Sequence, residues 1–388
     1  MTSKQQTAVA ASAVAIGAAL VARGFRTGRA IQFQNRSVLS TGGSRGLGLL
    51  IARELGREGA RLTLAARDEA ELERARADLE ARGIEAAIVT CDVGERGQAE
   101  RLVEEVVKQR GAIDVLINNA GIIQVGPLEH MKLRDFQDAM AIHFWGPLHT
   151  ILAAVPQMRR QGSGRIVNIS SIAGKIGVPH LAPYCASKFA LTGLSEAVRG
   201  ELAKDKILVT TVCPGLMRTG SPFNAWFKGR HRDEFTWFAI SDSLPLATID
   251  GARAARQVID ACRHGDAELV ITWPAKLAVI ANAVFPEAVA LGMSLANSLL
   301  PAPTNELGDQ ARSGWQSLSD WAPSKLTTLT DRAAIWNSEF GIRDTRSSIP
   351  NSEFRIPKRE PLRALRVSVR AVSTPATSYM AQWPVAPR

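Results

Sequence analysis

From Ser37 onward the chain alternates short β-rich runs with stretches of helical periodicity, and this alternation limits its fold more than any other feature. Val38-Leu39 leads into a glycine turn; Arg61 to Ala65, Ala87 to Thr90 and Val115 to Asn118 read as further strands. Leu47 to Glu58, Glu69 to Arg82 and Gln98 to Gln109 read as the helices between them. Parallel neighbours need a crossover of a dozen or more residues, which a helix supplies. The rhythm therefore predicts an α/β fold, a doubly wound parallel sheet with helices on both faces. Arg165 to Ser170 and Ile207 to Cys213 add two strands after two further long helices, and Leu269 to Ile271 reads as the last. Open sheets of this kind bind ligands beyond the carboxyl ends of their strands.

With 46% hydrophobic residues the chain can bury a substantial core. Its net charge of +10 raises the question of a nucleic-acid partner. That charge is concentrated at the ends: residues 1–36 carry +5 and residues 341–388 carry +6, which leaves 37–340 at −1. A nearly neutral middle argues against a specific nucleic-acid surface. The four cysteines, Cys91, Cys185, Cys213 and Cys262, show no metal-binding spacing, so no metal is expected, and scattered single thiols fit a reducing compartment.

The glycine turn reads Thr41-Gly42-Gly43-Ser44-Arg45-Gly46-Leu47-Gly48. Glycines let a backbone turn tightly and approach a pyrophosphate, whose charge is met by the N-terminus of the next helix. At the end of the second strand, where an NAD site usually has a carboxylate for the ribose 2′-OH, stand Ala66 and Arg67. Arg67 and Arg45 can pair a 2′-phosphate, which favours NADP over NAD. The competing reading leaves both arginines solvated and gives the ribose to Asp68.

Tyr184 and Lys188 fall four apart on the first turns of a helix, so both face one way. A phenol has an unperturbed pKa of about 10, and a neighbouring ammonium is expected to lower it for acid/base work at a carbonyl or hydroxyl. Ser171 follows a strand-like run, so its hydroxyl is expected at a strand's carboxyl end.

With these residues together, the chain resembles the short-chain dehydrogenase/reductase family from about Ser37 to Ile271, with a Rossmann-like core. The matching motifs are Thr41 to Gly48, Cys91-Asp92-Val93, Asn118-Asn119-Ala120-Gly121, Ser171, Tyr184-x-x-x-Lys188, and Pro214-Gly215 with Thr219. The resemblance implies hydride transfer between a nicotinamide and a carbonyl or alcohol carbon. Tyr184 would donate the proton in reduction, Ser171 would polarise the substrate oxygen, and Lys188 would bond the nicotinamide ribose. Thr41, Gly42, Ser44, Arg45, Gly46, Leu47, Gly48 and Arg67 would hold the dinucleotide, with Asp92 at the adenine. Asn118, Ala120, Gly121, Pro214 and Gly215 would flank it, and Thr219 would reach the carboxamide. Asp92 also suits a turn or helix cap. The family implies a homodimer or homotetramer. The chain departs from the pattern at His143, where the family usually has an asparagine that holds a relay water; His143 could bind that water or be a satisfied core histidine. A catalytically weak NADPH sensor or scaffold is the alternative it keeps open.

Four segments are expected. Residues 1–36 hold an apolar run, Ala8 to Ala22, followed by arginines. It reads equally as a membrane-associating helix and as a frayed Ala-rich one, and the positive-inside rule would keep the rest cytoplasmic, attached to the cytoplasmic face of a membrane surface. Residues 37–272 form the oxidoreductase domain with a substrate flap near 216–245, whose aromatic residues suggest a hydrophobic small-molecule substrate. Residues 273–337 form a C-terminal helical extension, and 338–388 a basic disordered tail.

Overall fold

The computed structural model describes residues 24, 26–245, 247–324 and 327–331. The apolar run Ala8 to Ala22 and the tail from Ser338 lie outside the described residues.

Seven strands form one parallel sheet: β1 Ser37–Thr41, β2 Arg61–Ala66, β3 Ala86–Thr90, β4 Val115–Asn118, β5 Gly164–Ile169, β6 Ile207–Pro214 and β7 Glu268–Ile271. Their spatial order is β7-β6-β5-β4-β1-β2-β3. The sequence therefore runs outward from β1 in one direction, then returns past it through β4. The helices are α1 Gly46–Arg57, α2 Glu69–Glu80, α3 Arg96–Arg110, α4 Leu133–Met140, α5 Gly146–Gln161, α6 Ala182–Leu202, α7 His231–Ser241, α8 Gly251–His264, α9 Trp273–Val284 and α10 Pro286–Asn297.

The two-residue period of the strands sorts their side chains between two cores. Val38, Val115, Ile117 and Val167 join α1, α2 and α8 on one face. Leu39, Leu116 and Ile166 join α3, α5 and α6 on the other. Such strands lie buried on both sides, which explains their nearly continuous apolar runs.

Two polar devices sit inside this apolar frame. Arg53 of α1 makes a two-pronged pair with Asp78 of α2, at 2.7 and 2.8 Å, and Arg82 meets the same carboxylate at 2.7 Å. Across the sheet, Thr150 donates to Asn118 (2.7 Å), Asn118 to Asn168 (2.9 Å), and Asn168 to Ser195 (3.0 Å); Thr211 also donates to Ser195 (2.7 Å). All five side chains are buried, so each needs the next to offset its lost hydration.

Beyond β6 the chain is built from short pieces. Trp226–Phe227 pairs with Gln124–Val125 on one side and Arg312–Ser313 on the other. In the segment expected as a helical extension, α9 and α10 are followed by a strap lying against the flap, made of the 3₁₀ turns Glu306–Asp309 and Gly314–Ser317 with Arg312–Ser313 between them, and helix resumes at 328–331. Gly314 donates its N–H to Ala225 O (2.9 Å), and Gly229 to Gly308 O (2.8 Å).

Replacing Asp78 with Ala leaves the buried Arg53 guanidinium without its carboxylate. Urea unfolding should show a loss of about 3–5 kcal/mol; a loss within experimental error of zero would show the pair to be dispensable.

Candidate active site

The strand order reverses between β1 and β4, the place where open α/β sheets bind their ligands. Thr41 ends β1, and its Oγ1 accepts the N–H groups of Asn119 (3.1 Å) and Ala120 (3.3 Å) just after β4. Asn119 returns a side-chain N–H to Gly42 O at 2.8 Å. Asn119 lies inside the Asn-Asn-Ala-Gly run, but its type alone does not point to this contact.

This crossing accounts for the glycines. A Cβ on Gly42, whose φ is +64°, would stand 2.7 Å from the Ala120 Cα, and one on Gly48 would stand 2.1 Å from Gly42 O. Gly46, at φ +53°, faces open space instead, its nearest neighbour being Thr219 O at 3.8 Å. The N-terminus of α1 has no side-chain cap and no acid in its first turn. Bare backbone amides beside an open glycine surface fit an anion such as a pyrophosphate, so the residues present suit a dinucleotide.

Beside the glycine turn, Ser44 donates to Glu71 (3.0 Å) and Arg45 pairs with the same carboxylate. Arg67 is exposed at the end of β2. Asp68 caps α2, accepting the Glu71 N–H at 2.8 Å. Asp92 accepts the Gly94 N–H at 3.0 Å, so it does serve as a turn residue. Leu47 is buried and Gly121 exposed, and a Cβ on Gly121 would approach His143 Nε2 to 3.0 Å.

At the other end, Ser171 begins the single-turn 3₁₀ helix Ile172–Gly174 and its hydroxyl accepts the Ala173 N–H at 3.1 Å. Tyr184, the third residue of α6, hydrogen-bonds the Ser171 side chain. Lys188 lies one turn on, its Nζ 5.5 Å from the Tyr184 ring centre and donating to Ile169 O at 2.8 Å. The three side chains expected to act together are brought together.

The direction of the tyrosine shift is the reverse of expectation. Burial pushes the Tyr184 hydroxyl up to about 12, against the opposing hydrogen bond from Ser171. Burial also pushes Lys188 down to about 7. Desolvation acts on both groups, so the amine loses much of the charge that was to favour a phenolate.

His143 sits in a π-turn, Ala141–Trp145, between α4 and α5. Pro147, four residues on, has no N–H for the His143 carbonyl, and the helix widens there. The ring is fully buried. Its Nε2 accepts the Ile122 N–H (3.1 Å), which makes Nδ1 the donor to Ser187 Oγ (2.7 Å); Ser187 in turn donates to Tyr184 O (2.9 Å). Burial, aided by the Lys188 charge, holds its pKa well below the usual imidazole value. Both ring nitrogens are committed within the fold, so His143 is a satisfied core histidine. It packs edge-on to Tyr184 at 5.3 Å, which makes it a support for the tyrosine and leaves no ring nitrogen for a water.

Pro214 ends β6, and Gly215 is crowded by Thr272 Oγ1, 2.8 Å from where a Cβ would stand. Thr219 is buried and donates to Ser221 (3.4 Å), which donates to Asp242 (2.9 Å). Asp242 had no sequence signal: it lies 58 positions from Tyr184 in an unremarkable helix end. Burial pushes its carboxyl up to about 7, opposed by the Ser221 hydrogen bond, and its charge contributes to the upward shift of Tyr184.

The flap aromatics differ from expectation. Phe223, Phe227, Phe235 and Phe238 are buried against one another in edge-to-face pairs. They are the centre of a small core that also takes in Leu181 and Cys185, with Tyr184 and Trp237 packed at its edge. The buried Glu234 of α7 accepts from Trp237 (2.7 Å) and meets His180 (2.8 Å), two residues before α6, which ties the flap to the helix that carries Tyr184.

A family model described as short chain dehydrogenase matches residues 36–225. A 3-oxoacyl-acyl-carrier-protein reductase of Staphylococcus epidermidis is 37% identical over 186 residues, 47% of this chain and 75% of that protein. A solved short-chain type dehydrogenase/reductase from Mycobacterium marinum superposes with a TM-score of 0.54 at 25% identity, covering 62% of this chain and 95% of that one. A second solved structure, from Sinorhizobium meliloti, gives a TM-score of 0.57 at 26% identity over 63% and 97%.

The raised Asp242 carboxyl makes a pH-signed prediction. Its folded pKa of about 7 exceeds the ordinary 3.8, so its stabilising contribution is complete below 3.8 and is lost as pH rises through 7. Asp242→Asn should leave the melting temperature nearly unchanged at pH 4 and raise it at pH 8, by on the order of a few kcal/mol in stability. Equal shifts at both values would refute the assignment.

Proposed function

Because this chain belongs to the short-chain dehydrogenase/reductase family, we propose that it is an NADP-dependent oxidoreductase acting on hydrophobic ketones or secondary alcohols. Membership makes it an enzyme of CH–OH and C=O groups that uses a nicotinamide dinucleotide; the choice of NADP and of an apolar substrate are the further steps. The observation that carries the proposal is the Ser171–Tyr184 hydroxyl pair with Lys188 one helical turn away, Ser171 standing just past the carboxyl end of β5.

The bound dinucleotide supplies hydride to a carbonyl carbon or takes it from an alcohol carbon. In reduction Tyr184 gives its proton to the substrate oxygen, and burial keeps that proton in place until the oxygen becomes basic. Ser171 shares a hydrogen bond with Tyr184 and polarises the same oxygen. Lys188, beside the ring, stabilises the phenolate left behind when it carries its own proton. His143 and Ser187 fix the tyrosine from behind.

Arg45 and Arg67 support NADP, as does the engagement of Asp68 in capping α2. A 2′-phosphate would compete with Glu71 for Ser44 and Arg45. An apolar substrate is supported by Ile123, Val178, Leu181 and Trp237, which pack with Tyr184 into one cluster. The Staphylococcus relative is named for a 3-oxoacyl substrate, so β-ketoacyl thioesters belong in the test panel. Trp145 and Leu152, at and just inside the start of α5, and Phe189 of α6 are exposed, which supports pairing into a homodimer or homotetramer. Attachment to the cytoplasmic face of a membrane through the N-terminal run rests on its sequence alone.

Two measurements test this. With NADPH and a panel of apolar ketones and β-ketoacyl thioesters, Tyr184→Phe should lower kcat by roughly 10²–10⁴-fold while dinucleotide affinity stays within a few-fold; full turnover would remove Tyr184 from the chemistry. Arg67→Asp should weaken NADPH binding relative to NADH by about 10–100-fold, the worth of a charge-assisted contact. An unchanged ratio would shift the ribose recognition elsewhere.

A further inference from the structure

After β7 the chain leaves the sheet at the edge where the site lies. Thr272 begins α9, and a Cβ on Gly215 would meet both Thr272 Oγ1 (2.8 Å) and Ala275 Cβ (3.1 Å), so the root of α9 rests on the Pro214-Gly215 loop. Further along, Asn282 donates to Lys175 O at 3.2 Å, which lays α9 beside the turn that follows Ser171. The α9–α10 hairpin therefore stands next to the catalytic edge.

Its composition is unusual for a surface. From Leu277 to Asn305 the only charged residue is Glu287. In α9 only Ala275 is buried, and in α10 no residue is. Phe285 is 64% exposed, Leu291 63%, Leu295 62% and Leu299 87%. Contiguous apolar surface of this kind marks an interaction site.

Three observations identify the occupant. First, α10 gathers Glu287, Ser294 and Asn297 on one narrow stripe and is apolar or small around the rest, from Leu291 and Leu295 through Ala288 to Ala296 and Val289. A second protein copy covers one face of a helix, whereas lipid surrounds it. Second, each helix has 12 residues, a length of about 18 Å, which reaches into one leaflet of a bilayer core about 30 Å thick. No helix among the described residues is long and apolar enough to cross a membrane. Third, the charge of the chain lies in residues 1–36 (+5) and 341–388 (+6), which complements an anionic lipid surface.

We propose that the α9–α10 hairpin is a lipid-docking element that seats in one leaflet of an anionic bilayer and sets the catalytic edge against the membrane. This docking is separate from the N-terminal run and holds whether or not the substrate is apolar.

The test uses the full chain with vesicles of phosphatidylcholine alone and of phosphatidylcholine and phosphatidylserine in equal parts. The variant is Leu291→Glu with Leu295→Glu, both on a helix with no buried residue, and Leu133→Glu, exposed on α4, is the control. Near-UV circular dichroism and NADPH binding verify that each is folded. The wild type and the control should co-sediment with the mixed vesicles and hold on in high salt, and the double variant should bind roughly tenfold or more weakly. Equal binding by the double variant would assign the attachment to the ends of the chain and overturn the proposal. So would a drop in solution mass by light scattering with vesicle binding unchanged, since the hairpin would then be covered by a second copy.

Discussion

The site depends on one close crossing of backbone over backbone, Gly42 against Ala120. Strands β1 and β4 are neighbours, yet the segments that follow them diverge, one into α1 and the other toward residues 122–127. They can pass each other only where one carries no Cβ, because even one added carbon on Gly42 would lie 2.7 Å from Ala120. Thr41 and Asn119 stitch the crossing from both sides. Below it, the buried ladder from Thr150 through Asn118 and Asn168 to Ser195 spans β4, β5 and α6. Each donor and acceptor in that ladder would be costly to leave unpaired, so the strands are held in one register. The crossing of β1 and β4 is thus fixed by the fold itself.

Rigidity and burial together decide the electrostatics at the catalytic end. Desolvation raises Tyr184, lowers Lys188 and lowers His143, in each case favouring the neutral form. A site with little resident charge and few mobile dipoles makes any charge that develops on a substrate oxygen strongly felt by the hydroxyls aimed at it. The simple picture of a lysine that turns its neighbour into a phenolate fails because it treats the amine as fully charged. Buried amines resist charge for the same reason that buried phenols resist losing their proton.

The fold was legible in the sequence because parallel strands buried on two faces demand apolar runs, and the helices between them demand a different period. The glycine turn, Ser171, Tyr184 and Lys188 were legible because close backbone approach and proton transfer accept few residue types. His143 could not be resolved by its identity: an imidazole donates and accepts equally well to a water or to its own fold, and only the Ile122 amide and the Ser187 hydroxyl decide the matter. Asp242 and Glu71 were invisible because nothing local distinguishes a solvated carboxylate from one that a distant segment buries or pairs. The phenylalanines of the flap misled for a related reason, since aromatic density looks the same whether it lines a pocket or fills a small core.

What the flap does with those aromatics bears on specificity. The family match ends at residue 225, and Trp226–Phe227 is the strand that joins Gln124–Val125 to the strap at Arg312–Ser313. His231, Thr236 and Ser243 are each bonded to residues between 317 and 330. The glycine turn, Ser171, Tyr184 and Lys188 all lie inside that match. The flap is braced by a segment outside it. The brace reaches Tyr184 as well, because Glu234 of the braced α7 holds His180 just before α6, so a segment outside the match bears on the position of a residue inside it.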